Sequence, residues 1–140
     1  MSIKTKILIL GNSSFFQRRV LKSLKKIKGL DNILCSKSSK INRENLVFFN
    51  DYKKAIRSSP NLVYISLINK LHYKYAKFAL ENKCNVIVDK PITNSLVLSK
   101  QLVKLAQKNK LLLAEANVFN YHNVYKKIIK SIGGINKITH

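Results

Sequence analysis

The sequence predicts an α/β fold: a parallel, doubly wound sheet of about six strands. Short apolar runs alternate with amphipathic stretches along the chain, as strands alternate with crossover helices in parallel sheets. The runs are nearly continuous in apolar residues, which is typical of strands buried on both faces. The chain has 140 residues, 46% of them hydrophobic, which is sufficient for one domain with one core.

Each element can be assigned in order along the chain. The strands are predicted at 6–10, 32–35, 46–49, 62–67, 85–88 and 111–114. The helices between them are predicted at 13–28, 52–57, 70–82 and from Asn94 or Ser95 onward. Gly29 is predicted to end the first helix and Asp51 to cap the second. In this topology ligands bind beyond the carboxyl ends of the strands.

Helical spacing predicts the side chains that face the sheet. In the first helix they are Phe16, Val20, Leu21, Leu24 and Ile27. In the third and fourth helices they are Leu71, Tyr75 and Phe78, then Leu98, Leu102, Leu105 and Ala106.

The pattern changes after Ala116. A further helix is predicted at 121–132, Gly133 and Gly134 end it, and another strand begins at Ile135. We therefore expect a first α/β domain over 1–116. Residues 117–140 are expected to form a linker helix and the first strand of a second, truncated domain.

The composition narrows the class of protein. Lys and Arg number 27 against 6 Asp and Glu, a formal charge of +21, so polyanions will be attracted. The charge is spread along the chain, which argues against specific nucleic-acid binding. Cys35 and Cys84 lie in apolar runs and are predicted to be reduced thiols, and no histidine spacing indicates a metal site. No signal peptide or membrane span is evident, so a soluble, cytoplasmic protein is predicted.

The first strand ends in a turn that could hold a phosphate. Residues 11–16 read Gly-Asn-Ser-Ser-Phe-Phe, where the dinucleotide fingerprint is G-x-G-x-x-G. Only Gly11 is retained; the Ser13 hydroxyl could donate to a phosphate, and Phe16 must push the helix outward or rotate into the core. The alternative is a plain strand–turn–helix with Ser13 or Ser14 as the helix N-cap.

Two later segments carry a family resemblance. The chain reads Val-Tyr-Ile-Ser-Leu-Ile-Asn-Lys-Leu-His over 63–72, and Asn-Val-Ile-Val-Asp-Lys-Pro-Ile over 85–92. Both resemble the Gfo/Idh/MocA family of glucose–fructose oxidoreductase and inositol dehydrogenase, whose fourth strand ends in a Thr-Pro-Asn-x-x-His-like stretch and whose fifth ends in Glu-Lys-Pro or Asp-Lys-Pro. Residues 11–19 resemble that family's first turn, and 114–122 resemble the crossing into its second domain.

The resemblance implies a Rossmann-type domain of an NAD(P)-dependent oxidoreductase acting on a sugar, cyclitol or sugar derivative. Lys90 would lie beside the nicotinamide and substrate and assist proton transfer; the alternative is a solvated lysine before a loop proline. Asn69 would contact the cofactor or orient its loop, and His72 would be a site residue or a packing residue. The full set expected at the cofactor is Gly11, Asn12, Ser13, Ser14, Phe15, Ser36, Lys37, Leu67, Asn69, His72, Asp89 and Lys90.

The residues after the second strand bear on cofactor choice. An acidic residue there would bind the adenosine ribose hydroxyls. Residues 36–40 read Ser-Lys-Ser-Ser-Lys instead, so Lys37 and Lys40 could pair with a 2′-phosphate. NADP is therefore slightly favoured over NAD, the alternative being a lysine-rich loop in a lysine-rich protein.

Departures from the family pattern keep other functions open. Ile68 stands where many members have proline, and two fingerprint glycines are missing. Residues 119–121 lack the arginine that is common near this crossing, and the family's second domain, which supplies the substrate pocket, the usual catalytic histidine and the oligomer interface, is not seen. A degenerate binding module and a nucleic-acid-binding protein are the alternatives. The expected partners are a nicotinamide dinucleotide, a sugar-like substrate, and an oligomer partner or separately encoded second domain.

Overall fold

A six-stranded parallel sheet forms the centre of the molecule. The computed structural model describes residues 5–14, 16–24, 26–35, 47–117 and 121–131. Its strands are β1 (Thr5–Leu10), β2 (Leu30–Cys35), β3 (Val47–Phe49), β4 (Leu62–Ile65), β5 (Asn85–Val88) and β6 (Leu113–Glu115). Within the described residues the strand order is β3-β2-β1-β4-β5-β6 and every pairing is parallel. This is the Rossmann order, so the predicted fold class is confirmed.

The helices fall where the sequence places them, with shifted ends. They are α1 (Leu21–Leu24), α2 (Tyr52–Arg57), α3 (Asn69–Glu81), α4 (Leu96–Asn109) and α5 (Asn123–Ser131). The predicted bounds of α2 and β5 are confirmed. Asp51 caps α2, its Oδ1 accepting the Lys54 N–H at 2.7 Å. Of the two predicted caps for α4, Ser95 is the one observed, its Oγ accepting the Leu98 N–H at 3.4 Å.

Two apolar layers cover the sheet because neighbouring residues of a strand point to opposite faces. Leu8 and Leu10 of β1 face the larger layer, which β4, β5 and helices α2, α3 and α4 complete. Ile7 and Ile9 face the smaller layer, which includes Phe16 and is partly covered by α1. These layers fix the backbone of β1, β4 and β5, and hence the positions at which those strands end.

The first helix is shorter than predicted. A π-helical turn, Phe16–Val20, precedes α1, and residues 26–28 form turns where helix was predicted. Ile27 is consequently 53% exposed, so its predicted place on the inner face is wrong. A π turn holds more residues than an α turn, so a face assigned with the 3.6-residue period drifts out of register. Gly29, at φ +80°, adopts the left-handed conformation expected of a residue that ends a helix.

The inner face of α3 agrees with the prediction. Tyr75 is buried, and Leu71 and Phe78 are partly buried and pack against the larger apolar layer. Ala76 and Ala79, which are fully buried, belong to the same face. Helix α3 contacts both the sheet and α4, so small side chains allow the backbones to approach.

Helix α5 has no buried residue, and Tyr121, just before it, is 81% exposed. Because α5 spans Asn123–Ser131, the helix predicted over 121–132 is confirmed for most of its length. The strand predicted from Ile135 lies outside the described residues. None of the helices described here is long and apolar enough to cross a membrane.

Candidate cofactor site at the carboxyl edge of the sheet

The strand register aligns three segments at one edge. Leu10 pairs with Ile65, and Ile65 pairs with Val88. The residues that follow these strand ends are Gly11, Ser66 and Asp89. They therefore lie side by side around the point where the sheet order reverses, which is where open α/β sheets bind their ligands.

Gly11 is required by two features of this edge. Its φ is +99°, a backbone conformation that residues with a side chain rarely adopt. A Cβ at this position would lie 2.2 Å from the carbonyl oxygen of Ser66 and 3.0 Å from Leu67 Cδ2. The turn after β1 therefore packs directly on the end of β4, leaving no space for a side chain between them.

The rest of the first turn is organised by Ser13. Its Oγ accepts the N–H of Phe16 at 3.0 Å and lies 2.8 Å from the Oγ of Ser66. Phe16 is fully buried, with its ring centroid 6.1 Å from that of Tyr64. Of the two outcomes foreseen for Phe16, rotation into the core is the one observed, because its side chain packs with Ile7 and Ile9 in the smaller apolar layer. Asn12 is half-buried and Ser14 is exposed beside it.

Asp89 accepts hydrogen bonds at both carboxylate oxygens. The Tyr64 hydroxyl donates to Oδ1, and the Ser66 hydroxyl donates to Oδ2 at 2.8 Å. Burial, reinforced by the hydrogen bond and the charge of Asp89, raises the pKa of Tyr64 well above its usual range. Tyr64 therefore stays protonated and acts as a donor at neutral pH.

Lys90 follows Asp89 and is exposed. The two residues after it, Pro91 and Ile92, are each hydrogen-bonded to another element. His72 is fully buried, with Nδ1 2.8 Å from the Pro91 carbonyl oxygen and Nε2 2.9 Å from that of Leu67. Both ring nitrogens thus face backbone carbonyls, and any effect of His72 on a ligand passes through the two segments that it joins. On the other side, the Ile92 N–H donates to Glu115 Oε2 at 2.8 Å.

The remaining predicted site residues divide into two groups. Leu67 is half-buried and Asn69 is exposed at the first turn of α3, both at this edge of the sheet. Phe15, Ser36, Lys37 and Lys40 lie outside the described residues. The part of the chain that is described contains no cluster of three or more potential metal ligands.

Three residues of this edge were missed by the sequence reasoning. Tyr64 and Ser66 were assigned only to a buried strand, and Glu115 only to the start of the domain crossing. A hydroxyl at every second position, Tyr64 then Ser66, is the available signal, because such residues share one face of a strand. Its meaning depends on Asp89, which follows the end of β5, the strand paired with β4.

The fold and this edge are those of a dinucleotide-binding Rossmann domain, and a comparison with protein families identifies its family. Residues 5–117 match the family model described as "Oxidoreductase family, NAD-binding Rossmann fold". The chain belongs to this family, Gfo/Idh/MocA, so the resemblance drawn from 63–72 and 85–92 is confirmed. No curated protein sequence matches the chain.

Solved structures share the fold at low sequence identity. A 3-ketoreductase from Actinomadura kijaniata, solved with NADP and TDP-benzene, has a TM-score of 0.85 and 20% identity over 93% of this chain. Biliverdin reductase from Synechocystis, solved with biliverdin and NADP+, has a TM-score of 0.81 and 20% identity over 92% of this chain. An oxidoreductase from Bacillus cereus has a TM-score of 0.83 and 17% identity over 93% of this chain. The chain spans 39–43% of the length of these proteins.

Proposed function

We propose that the chain binds NAD(P) and forms the nucleotide-binding part of an oxidoreductase acting on a sugar, cyclitol or sugar derivative. The observation that carries the proposal is that Gly11 and the Asp89–Lys90 segment follow strands on either side of β4 at one edge of the sheet. A dinucleotide extends across such an edge, with its diphosphate at the first turn. Family membership supports the same assignment.

The first turn fits a diphosphate through its backbone. Since Gly11 has no Cβ, the chain turns closely against Ser66, and the N–H groups of residues 12–14 become the candidate donors. Lys90 would hold or move a proton at the substrate oxygen through its Nζ. When bound, the nicotinamide supplies the chemistry of hydride transfer at its C4 carbon. Asn69 and Leu67 would lie beside the cofactor at the same edge of the sheet.

NADP is slightly favoured over NAD as the cofactor. The support is the pair Lys37 and Lys40 after β2, where no carboxylate stands to repel a 2′-phosphate. The solved ketoreductase and biliverdin reductase both contain NADP, which supports the same preference.

Calorimetric titration with NADPH and NADH tests both parts of the proposal. We expect binding of each, tighter for NADPH. In the double variant Lys37→Ala/Lys40→Ala the NADPH preference should shrink several-fold, since removing phosphate partners costs charge-assisted hydrogen bonds. Lys104→Ala, an exposed lysine on α4, is the matched control. Absence of binding at millimolar cofactor would overturn the cofactor assignment.

Catalysis is proposed to require more than the described edge. We assign 1–116 to the nucleotide-binding domain and 117–140 to the start of a substrate domain, so the substrate pocket would come from elsewhere in the protein or from a separately encoded partner. The replaced fingerprint residues Ser13 and Phe16 favour a second candidate, a binding module without turnover. Hydride transfer from NADPH to an added keto-sugar, or from an added sugar alcohol group to NADP+, separates the two candidates when measured on the chain with and without its co-purifying partners.

A further inference from the structure

The candidate site contains a continuous hydrogen-bonded chain that links the first turn to the segment of Lys90. It runs from the Phe16 N–H to Ser13, from Ser13 to Ser66, and from Ser66 to Asp89. Tyr64 completes the chain at the second oxygen of Asp89. We propose that Ser66 and Tyr64 are positioning residues that couple the diphosphate end of the cofactor to its nicotinamide end through Asp89. This inference rests on the proposed function.

The direction of each hydrogen bond follows from the number of protons available. A carboxylate only accepts, so the single hydroxyl proton of Ser66 is directed to Asp89. Ser66 Oγ must then accept from Ser13 Oγ, 2.8 Å away. The single proton of Ser13 is therefore used inside the protein. Within this proposal the Ser13 hydroxyl does not donate to a phosphate, and backbone N–H groups provide that contact.

The burial of these hydroxyls shows that the chain is built into the fold. Tyr64 and Ser66 lie two residues apart and are 8% and 4% exposed. Tyr64 belongs to the smaller apolar layer, and Ser66 directly follows the end of β4. A buried hydroxyl is costly unless it is hydrogen-bonded, so each depends on the carboxylate of Asp89. With both oxygens of Asp89 engaged, the orientation of the carboxylate is fixed, and with it the backbone from which Lys90 extends.

Removing the Ser66 hydroxyl should affect NADPH and a ligand that lacks the nicotinamide differently. In Ser66→Ala the link between Ser13 and Asp89 is broken, so NADPH, which spans both ends, should bind about tenfold more weakly. The freed Ser13 proton becomes available to a phosphate. Binding of ADP-ribose 2′-phosphate, which lacks the nicotinamide, should therefore be unchanged or tighter.

The test measures dissociation constants for these two ligands by calorimetry, together with the emission spectrum of bound NADPH. The chain contains no tryptophan, so NADPH emission is read without indole fluorescence. Matched controls are Ser58→Ala and Tyr73→Phe, which remove hydroxyl hydrogen bonds to Ala55 and Gln101 away from this edge. Ser66→Ala and Tyr64→Phe should both shift the NADPH emission, and the controls should not.

The outcomes separate the inference from the function on which it rests. Equal losses for NADPH and ADP-ribose 2′-phosphate in Ser66→Ala, or an NADPH emission matching that of Ser58→Ala, would overturn the positioning role and leave cofactor binding intact. No NADPH binding by the unaltered chain would overturn the function and the positioning role together. Tyr64→Phe carries the same comparison if Ser66→Ala does not fold.

Discussion

At the scale of single residues, local constraints define the carboxyl edge of the sheet. A positive φ and the nearby Ser66 carbonyl require glycine at position 11, and two hydroxyl donors orient the carboxylate of Asp89. The residues that carry these constraints are small or polar and lie at strand ends. Their effects on stability can be measured separately from cofactor binding.

Replacing Gly11 should be far more damaging than replacing Gly29. Gly11→Ala combines an unfavourable φ with a Cβ only 2.2 Å from a backbone oxygen, so we expect the free energy of unfolding to fall by about 3 kcal/mol or more. Gly29→Ala has a comparable φ but nothing within 4 Å of its Cβ, and should lose about 1 kcal/mol. Urea unfolding of both variants gives the comparison; equal losses would contradict the close approach at Gly11.

Tyr64 should make the fold sensitive to alkaline pH. The pKa of Tyr64 is raised in the folded state, chiefly by burial, whereas in the unfolded chain its pKa is that of an ordinary tyrosine, about 10. Its contribution is fully present below that value and is lost as the pH rises above it, because the unfolded state then releases the proton first. Tyr64→Phe should show a smaller decline in stability above pH 10 than the unaltered chain, measured by urea unfolding across pH. Tyr73→Phe should retain the steeper decline.

At the scale of secondary-structure elements, local capping and packing against the sheet set the helix boundaries together. Helix α2 has only six residues, Tyr52–Arg57, and depends on its cap and on the burial of Ala55 and Ile56. An isolated helix of this length would not be stable in water. In the π turn before α1, by contrast, the burial of Phe16 accompanies a departure from α-helical geometry.

The cap of α2 provides a test at this scale. Asp51→Ala removes the acceptor of the Lys54 N–H and should lower the free energy of unfolding by about 1 kcal/mol. Asp51→Asn keeps a capping oxygen and should stay close to the unaltered chain, which denaturant unfolding measures. A loss as large in Asp51→Asn as in Asp51→Ala would assign the effect to the charge of Asp51 instead of its cap.

At the scale of the whole molecule, the formal charge of +21 acts on every anionic partner. The charge derives from Lys and Arg distributed along the chain and not from one segment. Such a charge attracts nucleic acids through their phosphates without reading their sequence. Cofactor recognition at the carboxyl edge is proposed to depend instead on backbone geometry and on the particular segments that follow β1, β2, β4 and β5.

Salt should separate these two kinds of binding. We expect the affinity for a random DNA duplex to fall by about a hundredfold or more between 50 and 200 mM salt, because phosphate contacts release counterions. NADPH, with far fewer charges, should lose much less affinity over the same range. Fluorescence anisotropy for DNA and calorimetry for NADPH give the two slopes. Sequence-selective DNA binding that persists at the higher salt would contradict the interpretation that DNA is bound only through the overall positive charge.

Much of the fold could be predicted because apolar runs and helical spacing are local signals. The strand at 85–88, the helix at 52–57 and the cap at Asp51 depend only on residues close in sequence, and all three agree with the structure. The prediction for Ile27 was wrong, because that position is exposed. Its orientation depends on the geometry of the preceding helical turn, which apolar character alone does not specify.

The sequence by itself determined the order of strands and helices, the family and the segments expected at the cofactor, since motifs such as Gly11 and Asp89–Lys90–Pro91 are contiguous in the chain. Only the tertiary structure decided how those segments are joined. Ser13, Ser66 and Asp89 are brought together by parallel strand register, which aligns residues that are far apart in sequence. The use of the Ser13 proton follows from that juxtaposition, because a hydroxyl has one proton and its neighbour in space determines where that proton is donated.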